Sequence, residues 1–155
     1  MLALFVYLLC LACWLGGMVF FSAIVAPVIF AQLSMPDAGK VVSALFPRYY
    51  LLGYIAGGLG LVLAVYLCVM RVPRLWWAMA AVALAIALGL TFYAGQVVRP
   101  QVDAIRTVAE EANPDPARRA EFDRLHRLSV ILNGAMMVLN LAALFSSAVA
   151  LTPRP

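Results

Sequence analysis

The sequence predicts an all-α integral membrane protein in which residues 1–155 form a single four-helix bundle. The composition is the first observation, because 66% of the residues are hydrophobic and 12% are charged, whereas soluble domains average about 45–50% and 25%. The second is that four runs lack any charged side chain, namely residues 1–36, 49–70, 75–98 and 128–153. Each run is longer than the roughly 18–20 apolar residues that cross a bilayer. We therefore exclude a soluble monomer and predict spans at about 4–31, 49–70, 75–98 and 128–151.

The first span is too long to cross the membrane as one straight helix. Residues 1–33 would measure about 50 Å at roughly 1.5 Å per residue, and Pro27 predicts a bend because proline removes a backbone donor. Ser34 followed by Asp37 is typical of a helix start. The residues from there to Arg48 have one apolar side, so we predict a short interfacial helix after span 1 that lies on the membrane surface.

The second and third spans carry glycines and tryptophans at positions that suggest their use. Gly53 and Gly57 form a small-xxx-small pair, which lets helix backbones approach closely. Two uses stay open, self-association of two copies through these glycines and packing within one chain. Trp76 and Trp77 begin the third span, where their amphipathic rings predict a belt at the membrane–water interface.

The third and fourth spans are predicted to extend beyond the membrane as a helical hairpin. Apolar residues continue at helical spacing past Val98 as far as Glu111, although Pro100 predicts a kink. Asp115 before Pro116 is typical of an acidic N-cap followed by proline at the first helical position. With about 14 extra residues on each arm, the hairpin between spans 3 and 4 would project by roughly 20 Å.

The distribution of charge predicts the orientation in the membrane. The connections 34–48 and 99–127 share one membrane face and carry eight basic residues, whereas the opposite face carries three. By the positive-inside rule, the hairpin lies in the cytoplasm and both termini lie outside it. The pattern predicts a multi-pass protein of the cell membrane, of the bacterial inner membrane type, with the lipid bilayer as its partner. No basic cluster is interleaved with aromatic residues, so we expect no nucleic-acid partner.

Polar residues in and beside the last two spans form the candidate site. They are Gln96 and Arg99 at the end of the third span and His126, Ser129, Asn133 and Asn140 on one stripe of the fourth. Polar groups within lipid should face protein or water. The stripe is therefore either a polar path or small-ligand site, or a set of interhelical hydrogen bonds worth about 0.6–2 kcal/mol each. Arg99 stays charged, so it needs backbone carbonyls, a carboxylate such as Asp103 or Asp123, or a lipid phosphate.

Cys10 and Cys13 are the candidate metal ligands. Their spacing places two thiols on neighbouring positions of one helix face, and soft ions such as Cu(I) accept thiolates. Thiols are equally at home as small apolar residues in buried helices. No nucleophile with a base, no phosphate-binding glycine loop and no carboxylate pair lies within the spans, so we predict that the protein is not an enzyme and has no cofactor.

Two stretches of the first half resemble a known family. They are Trp14-Leu-Gly-Gly17 continuing to Pro27-Val-Ile-Phe30, and Leu45-Phe-Pro-Arg-Tyr-Tyr50. Over roughly residues 5–110 the chain resembles the transmembrane-protein-205-like family, which implies a small four-span helical membrane protein and lends no agreed activity. The first stretch is also similar to the first span of CopD-type copper-resistance membrane proteins, although this chain lacks their histidines and methionine clusters.

Two functional hypotheses follow from the sequence. In the first, the protein transports or handles a small solute or metal through the polar stripe, which must then line a hydrated cavity. In the alternative, it is a non-transporting accessory or interaction protein whose working surface is the projecting hairpin. The surroundings of His126, Asn133 and Asn140 separate the two hypotheses.

Overall fold

The computed structural model describes residues 1–109 and 115–152, and its described part is helical with four helices long and apolar enough to cross a membrane. The helices are α1 (Leu2–Phe20), α2 (Ala26–Gln32), α3 (Met35–Met70), α4 (Arg74–Tyr93), α5 (Arg99–Ala109) and α6 (Pro116–Leu151). Two π-helical turns, π1 (Phe21–Val25) and π2 (Ala94–Val98), join α1 to α2 and α4 to α5. The predicted all-α bundle is confirmed.

The helices pack around an apolar core, and the outer surface of the bundle is apolar as well. α4 packs between α3 and α6, and α1 lies along α3 and also contacts α6. Large side chains such as Trp14, Leu84 and Met136 fill the core between these helices. The outward faces are apolar as well, since Val62 and Val138 are each 64% exposed. An apolar exterior of this extent is expected only where lipid replaces water, so the chain is a multi-pass membrane protein.

At both prolines where a kink was predicted, a π-helical turn ends two residues before the proline. The turn π1 ends with a hydrogen bond from the Ala26 backbone N–H to the Phe21 carbonyl, five residues back, and Pro27 follows. In π2 the Arg99 N–H binds the Ala94 carbonyl in the same way before Pro100. A proline ring clashes with the carbonyl four residues before it. A wider turn relieves that crowding, so each helix continues through the turn instead of breaking.

The predicted interfacial helix is not a separate element, because α3 runs without a break from Met35 through Pro47 to Met70. Its predicted start is confirmed, since the Ser34 hydroxyl accepts from the Asp37 N–H at 3.4 Å. The hydrogen bond from Ser34 and the nearby Lys40 ammonium hold the pKa of Asp37 below its usual value.

The reason for this continuity is that the first part of α3 is covered by protein and not by lipid alone. Ala38 and Val42 are buried on the stripe that continues to Tyr50 and Gly53. The segment 35–48 therefore packs on the rest of the chain along the same stripe as the span that follows it.

The glycine face of α3 is filled from within the chain. A Cβ atom at Gly57 would lie 2.7 Å from Cζ3 of Trp14, and one at Gly53 would lie 3.1 Å from its Nε1. Trp14 itself is only 3% exposed. Packing within one chain is therefore one use of these glycines, because an indole from α1 fills the space beside them. Self-association through Gly53 and Gly57 stays a prediction.

Trp77 is also placed differently from the prediction. It is 0% exposed, and its ring meets the ring of Tyr7 edge to face with centroids 5.8 Å apart. Trp76, by contrast, is only partly covered. Of the predicted interfacial pair, Trp77 belongs to the core, where the ring of Tyr7 from α1 covers it.

The two arms of the predicted hairpin are present as α5 and as the first turns of α6. Val102 and Ile105 of α5 pack into the same apolar cluster as Leu125 and Leu128 of α6. Residues 110–114, which include most of the predicted turn, lie outside the described residues. We use the term aqueous projection for residues 35–48, α5 and residues 116–127, which extend from one end of the four spans.

The predicted N-cap of the fourth helix is confirmed. The Asp115 carboxylate accepts a hydrogen bond from the Ala117 N–H at 3.2 Å, and Pro116 occupies the first helical position. We expect Asp115→Ala to destabilise the start of α6 by about 0.5–2 kcal/mol, because the first backbone donors lose their acceptor. Amide hydrogen exchange across residues 117–122 should accelerate in Asp115→Ala and stay unchanged in Glu121→Ala. Equal protection in both variants would contradict the capping role.

Candidate functional site

Polar side chains from five elements, α3, α5, α6 and the two π-helical turns, lie around a short aromatic part of α3. We call residues 46–54 of α3 the tyrosine segment, because Tyr49, Tyr50 and Tyr54 lie within it. The segment lies between the two π-helical turns. Phe21 of π1 packs on Tyr49 with ring centroids 5.1 Å apart, and Gly95 of π2 leaves room for the ring of Tyr50.

Asn133 is the centre of the first polar group. Its side-chain oxygen accepts a hydrogen bond from the Tyr49 hydroxyl, and its Nδ2 donates to the Ser22 hydroxyl at 2.9 Å. The group thus joins α6 to α3 and to the turn π1. Both polar atoms of the Asn133 side chain have a partner, and Tyr49 and Ser22 are partners that the sequence analysis did not identify.

The second polar group lies beside π2. Gln96 donates from Nε2 to the Tyr54 hydroxyl at 3.0 Å. Arg99 places its Nε 3.4 Å from a carboxylate oxygen of Asp103, and the Ser43 hydroxyl donates to the other oxygen at 2.8 Å. Arg99 therefore has one of the two carboxylates that the sequence suggested, while Gln96 is exposed and bonded to a tyrosine.

The deeper part of the stripe is enclosed in protein. Asn140 is 0% exposed and donates from Nδ2 to the Met136 carbonyl of its own helix at 3.0 Å. Its side-chain oxygen is buried without a hydrogen-bond partner among the described residues. One heptad further, Ser147 and Tyr7 share a hydrogen bond of 2.7 Å. These polar atoms are bound within the bundle or sealed from water.

The part of the stripe nearest the start of α6 is not enclosed in protein in the same way. His126 is exposed and stacks on Phe122 of the same helix, with ring centroids 6.1 Å apart. Ser129 donates to the Leu125 carbonyl at 3.0 Å, also within α6. The structure therefore brings Asn133 into contact with other helices, but it does not join His126, Ser129, Asn133 and Asn140 into one cavity.

The two candidate metal ligands face different surroundings. Cys10 is buried, and its Cβ lies 3.6 Å from the place where a Cβ of Gly60 would stand, whereas Cys13 is exposed. No group of three or more His, Cys, Asp or Glu side chains that could hold a metal ion occurs among the described residues. Cys10 packs between α1 and α3, and metal binding by Cys10 and Cys13 stays a prediction.

The sequence analysis also missed two surfaces. One is a groove of about 270 Å³ between π1 and α3, lined by apolar side chains and by Arg48. The other is the first part of α6 in the aqueous projection, where Arg118, Arg119 and Arg124 are exposed alongside Glu121 and Asp123 and form no ion pair with any described residue. The sequence analysis used these arginines only in the count of basic residues that predicts the membrane orientation.

One comparison with known proteins found a match. A family described as a domain of unknown function, DUF4149, matches residues 9–111. That stretch begins within α1, continues through α5 and includes the tyrosine segment, and it ends before α6. The curated proteins and the solved structures gave no match. The expectation of an uncharacterised family is confirmed at this level, and the match does not extend to the transmembrane-protein-205-like or CopD-type assignment. Since the match spans more than half of the chain, the protein belongs to the DUF4149 family.

Proposed function

We propose that this protein is a non-enzymatic, non-transporting membrane protein that holds an interaction partner on its aqueous projection. One observation carries the proposal. The polar side chains of the predicted path bind other helices or their own backbone, as Asn133, Asn140 and Ser147 do. The arginines at the start of α6, in contrast, present their charge to solvent.

The geometry favours this function over transport for an energetic reason. A polar path must offer hydrogen-bonding groups to the moving solute, because bulk water is absent at that depth. Groups already paired across helices stabilise the bundle instead. The proposed partner is a protein with carboxylates on its surface, since Arg118, Arg119 and Arg124 lie on one short helical segment without an ion pair to a described residue.

We further propose that the aqueous projection lies in the cytoplasm of a bacterial inner membrane. The support is the excess of eight basic residues over three on this face. A cysteine placed at position 115, with Cys10, Cys13 and Cys68 replaced, should resist a membrane-impermeant maleimide added to intact cells. The same variant should react after the cells are opened. Labelling in intact cells would reverse the orientation.

The function is tested by comparing two sets of variants in a strain that lacks the protein and shows a growth defect. Arg119→Glu with Arg124→Glu should abolish complementation while the protein still accumulates in the membrane. Asn140→Leu should complement fully. If instead the arginine variant complements and Asn140→Leu fails although folded, the transport hypothesis replaces this proposal.

A crosslinking measurement addresses the partner directly. A photoreactive phenylalanine analogue at Ala120, which is exposed in the projection, should give a discrete adduct in cells. The matched control carries the same photoreactive analogue in place of Val138, which faces outward from the spans. The adduct should disappear in the background of Arg119→Glu with Arg124→Glu. An adduct of equal yield at Val138 would contradict a partner docked on the projection.

We also keep as a proposal that the chain is related to the transmembrane-protein-205-like proteins. It is supported by the Trp14-Leu-Gly-Gly17 stretch, whose structural use is now defined. Trp14 fills the glycine face of α3, and a Cβ at Gly17 would lie 2.8 Å from Leu52. Both features support close packing of α1 on α3 and carry no chemistry of their own.

A further inference from the structure

The groove between the first two spanning helices has the form of a lipid-chain site. Its walls come from Gly17, Phe20, Phe21 and Val25 on one side and from Leu45, Arg48, Tyr49 and Leu52 of α3 on the other. Apart from Arg48 and the Tyr49 hydroxyl, these side chains are apolar. The Tyr49 hydroxyl is turned away to Asn133 on α6. The groove therefore offers a hydrocarbon surface to the bilayer.

Arg48 gives this groove a charged end. Its Nη1 donates to the Ala44 carbonyl at 3.2 Å, so the guanidinium is drawn along α3 toward the aqueous projection. Arg48 is the last charged residue before the uncharged run 49–70, which places it at the level of the lipid headgroups. It is exposed and forms no ion pair with any described residue. A guanidinium in this position retains donors that suit a phosphate.

We propose that this groove binds an anionic glycerophospholipid, with one acyl chain along the apolar walls and the phosphate on Arg48. The commitment to a lipid follows from the combination of features. An apolar groove open to the bilayer selects a hydrocarbon chain, and the single unpaired cation at its aqueous end selects a negative headgroup. A free anion would use only the second feature. This inference is independent of the proposed interaction function, because no residue that lines the groove belongs to α6.

The turn π1 contributes to the shape of this site. Phe21 begins the turn, and its ring packs on Phe46 and Tyr49 at centroid distances of 5.6 and 5.1 Å. These contacts hold Phe21 and Tyr49 in the groove wall. Gly17 lies one helical turn earlier, where a larger residue would meet Leu52. The groove is thus built by packed side chains and is continuous with the core.

The test is lipid binding to the purified full-length protein in detergent, followed by native mass spectrometry. The probes are phosphatidylglycerol and phosphatidylcholine with the same acyl chains. The wild type should retain phosphatidylglycerol in preference to phosphatidylcholine. Arg48→Gln should weaken phosphatidylglycerol binding by about tenfold and remove the preference, because a charge-assisted contact to phosphate is lost. Arg48→Lys should keep most of the phosphatidylglycerol binding, because it keeps the positive charge.

Matched controls separate the groove from general charge and hydrophobicity. Arg127→Gln removes an exposed arginine on the same membrane face and should leave binding unchanged. Leu45→Trp should fill the groove and reduce phosphatidylglycerol binding, while Leu59→Trp, on the same helix but outside the groove, should not. Circular dichroism and gel filtration must show that Arg48→Gln and Leu45→Trp remain folded. An equal loss in Arg127→Gln, undiminished binding in Arg48→Gln, or competition by inorganic phosphate as effective as by lipid would overturn the proposal.

Discussion

Gly57→Ala should destabilise the bundle by about 1–3 kcal/mol, which is the usual cost of adding a methyl group to a filled core. The added Cβ would stand 2.7 Å from Cζ3 and 2.8 Å from Cη2 of Trp14, closer than carbon atoms can approach. The indole has little freedom to move, since it is 3% exposed and its Nε1 lies against Gly53 on the next turn. Unfolding by added sodium dodecyl sulfate in mixed micelles, followed by circular dichroism, measures this loss.

The neighbouring glycine provides the control for this experiment. A Cβ at Gly58 would meet nothing within 4 Å, so Gly58→Ala changes the same helix without changing its packing. Alanine favours a helix over glycine by about 1 kcal/mol, and Gly58→Ala should therefore be as stable as the wild type or more so. When Trp14→Phe is added to Gly57→Ala, the double variant should recover part of the stability that Gly57→Ala loses. If Gly57→Ala and Gly58→Ala are equally stable, Gly57 is not required for the close packing of Trp14 on α3.

Asn133→Leu and Asn140→Leu should differ although both remove an asparagine from one stripe. Asn133→Leu deletes two interhelical hydrogen bonds and leaves the Tyr49 hydroxyl without its acceptor, so it should cost about 1–2 kcal/mol. Asn140→Leu deletes one bond to its own helix and also removes a buried oxygen that has no partner among the described residues. Removing an unpaired buried polar atom offsets the lost bond, and we expect a change within about 0.5 kcal/mol.

The same unfolding assay measures both variants, and Tyr49→Phe completes the comparison. Tyr49→Phe removes the hydroxyl that binds Asn133, so its cost should not add fully to that of Asn133→Leu in the double variant. Additive costs would show that the two side chains do not interact. A larger loss for Asn140→Leu than for Asn133→Leu would indicate that Asn140 has a partner absent from our description.

Local features of the chain were predictable because their causes are local. The four uncharged runs predicted the four long apolar helices, since a segment can cross lipid when its own length and composition match the bilayer core. The starts at Ser34 and Asp115 followed from side chains that bind backbone groups two or three residues away. The kinks before Pro27 and Pro100 were predicted, although their π-helical form was not.

Features that depend on which helix lies beside which were decided only by the tertiary structure. Tyr49 and Asn133 are 84 residues apart in the chain, and Ser22 and Asn133 are 111 apart. The sequence could place Asn133 on a stripe but could not give the partners it meets, because these depend on the rotation and neighbours of each helix. For the same reason the sequence could not show that Trp14 packs against Gly53 and Gly57. Hydropathy determines that a segment enters the membrane, whereas packing between distant segments determines which of its faces meets protein and which meets lipid.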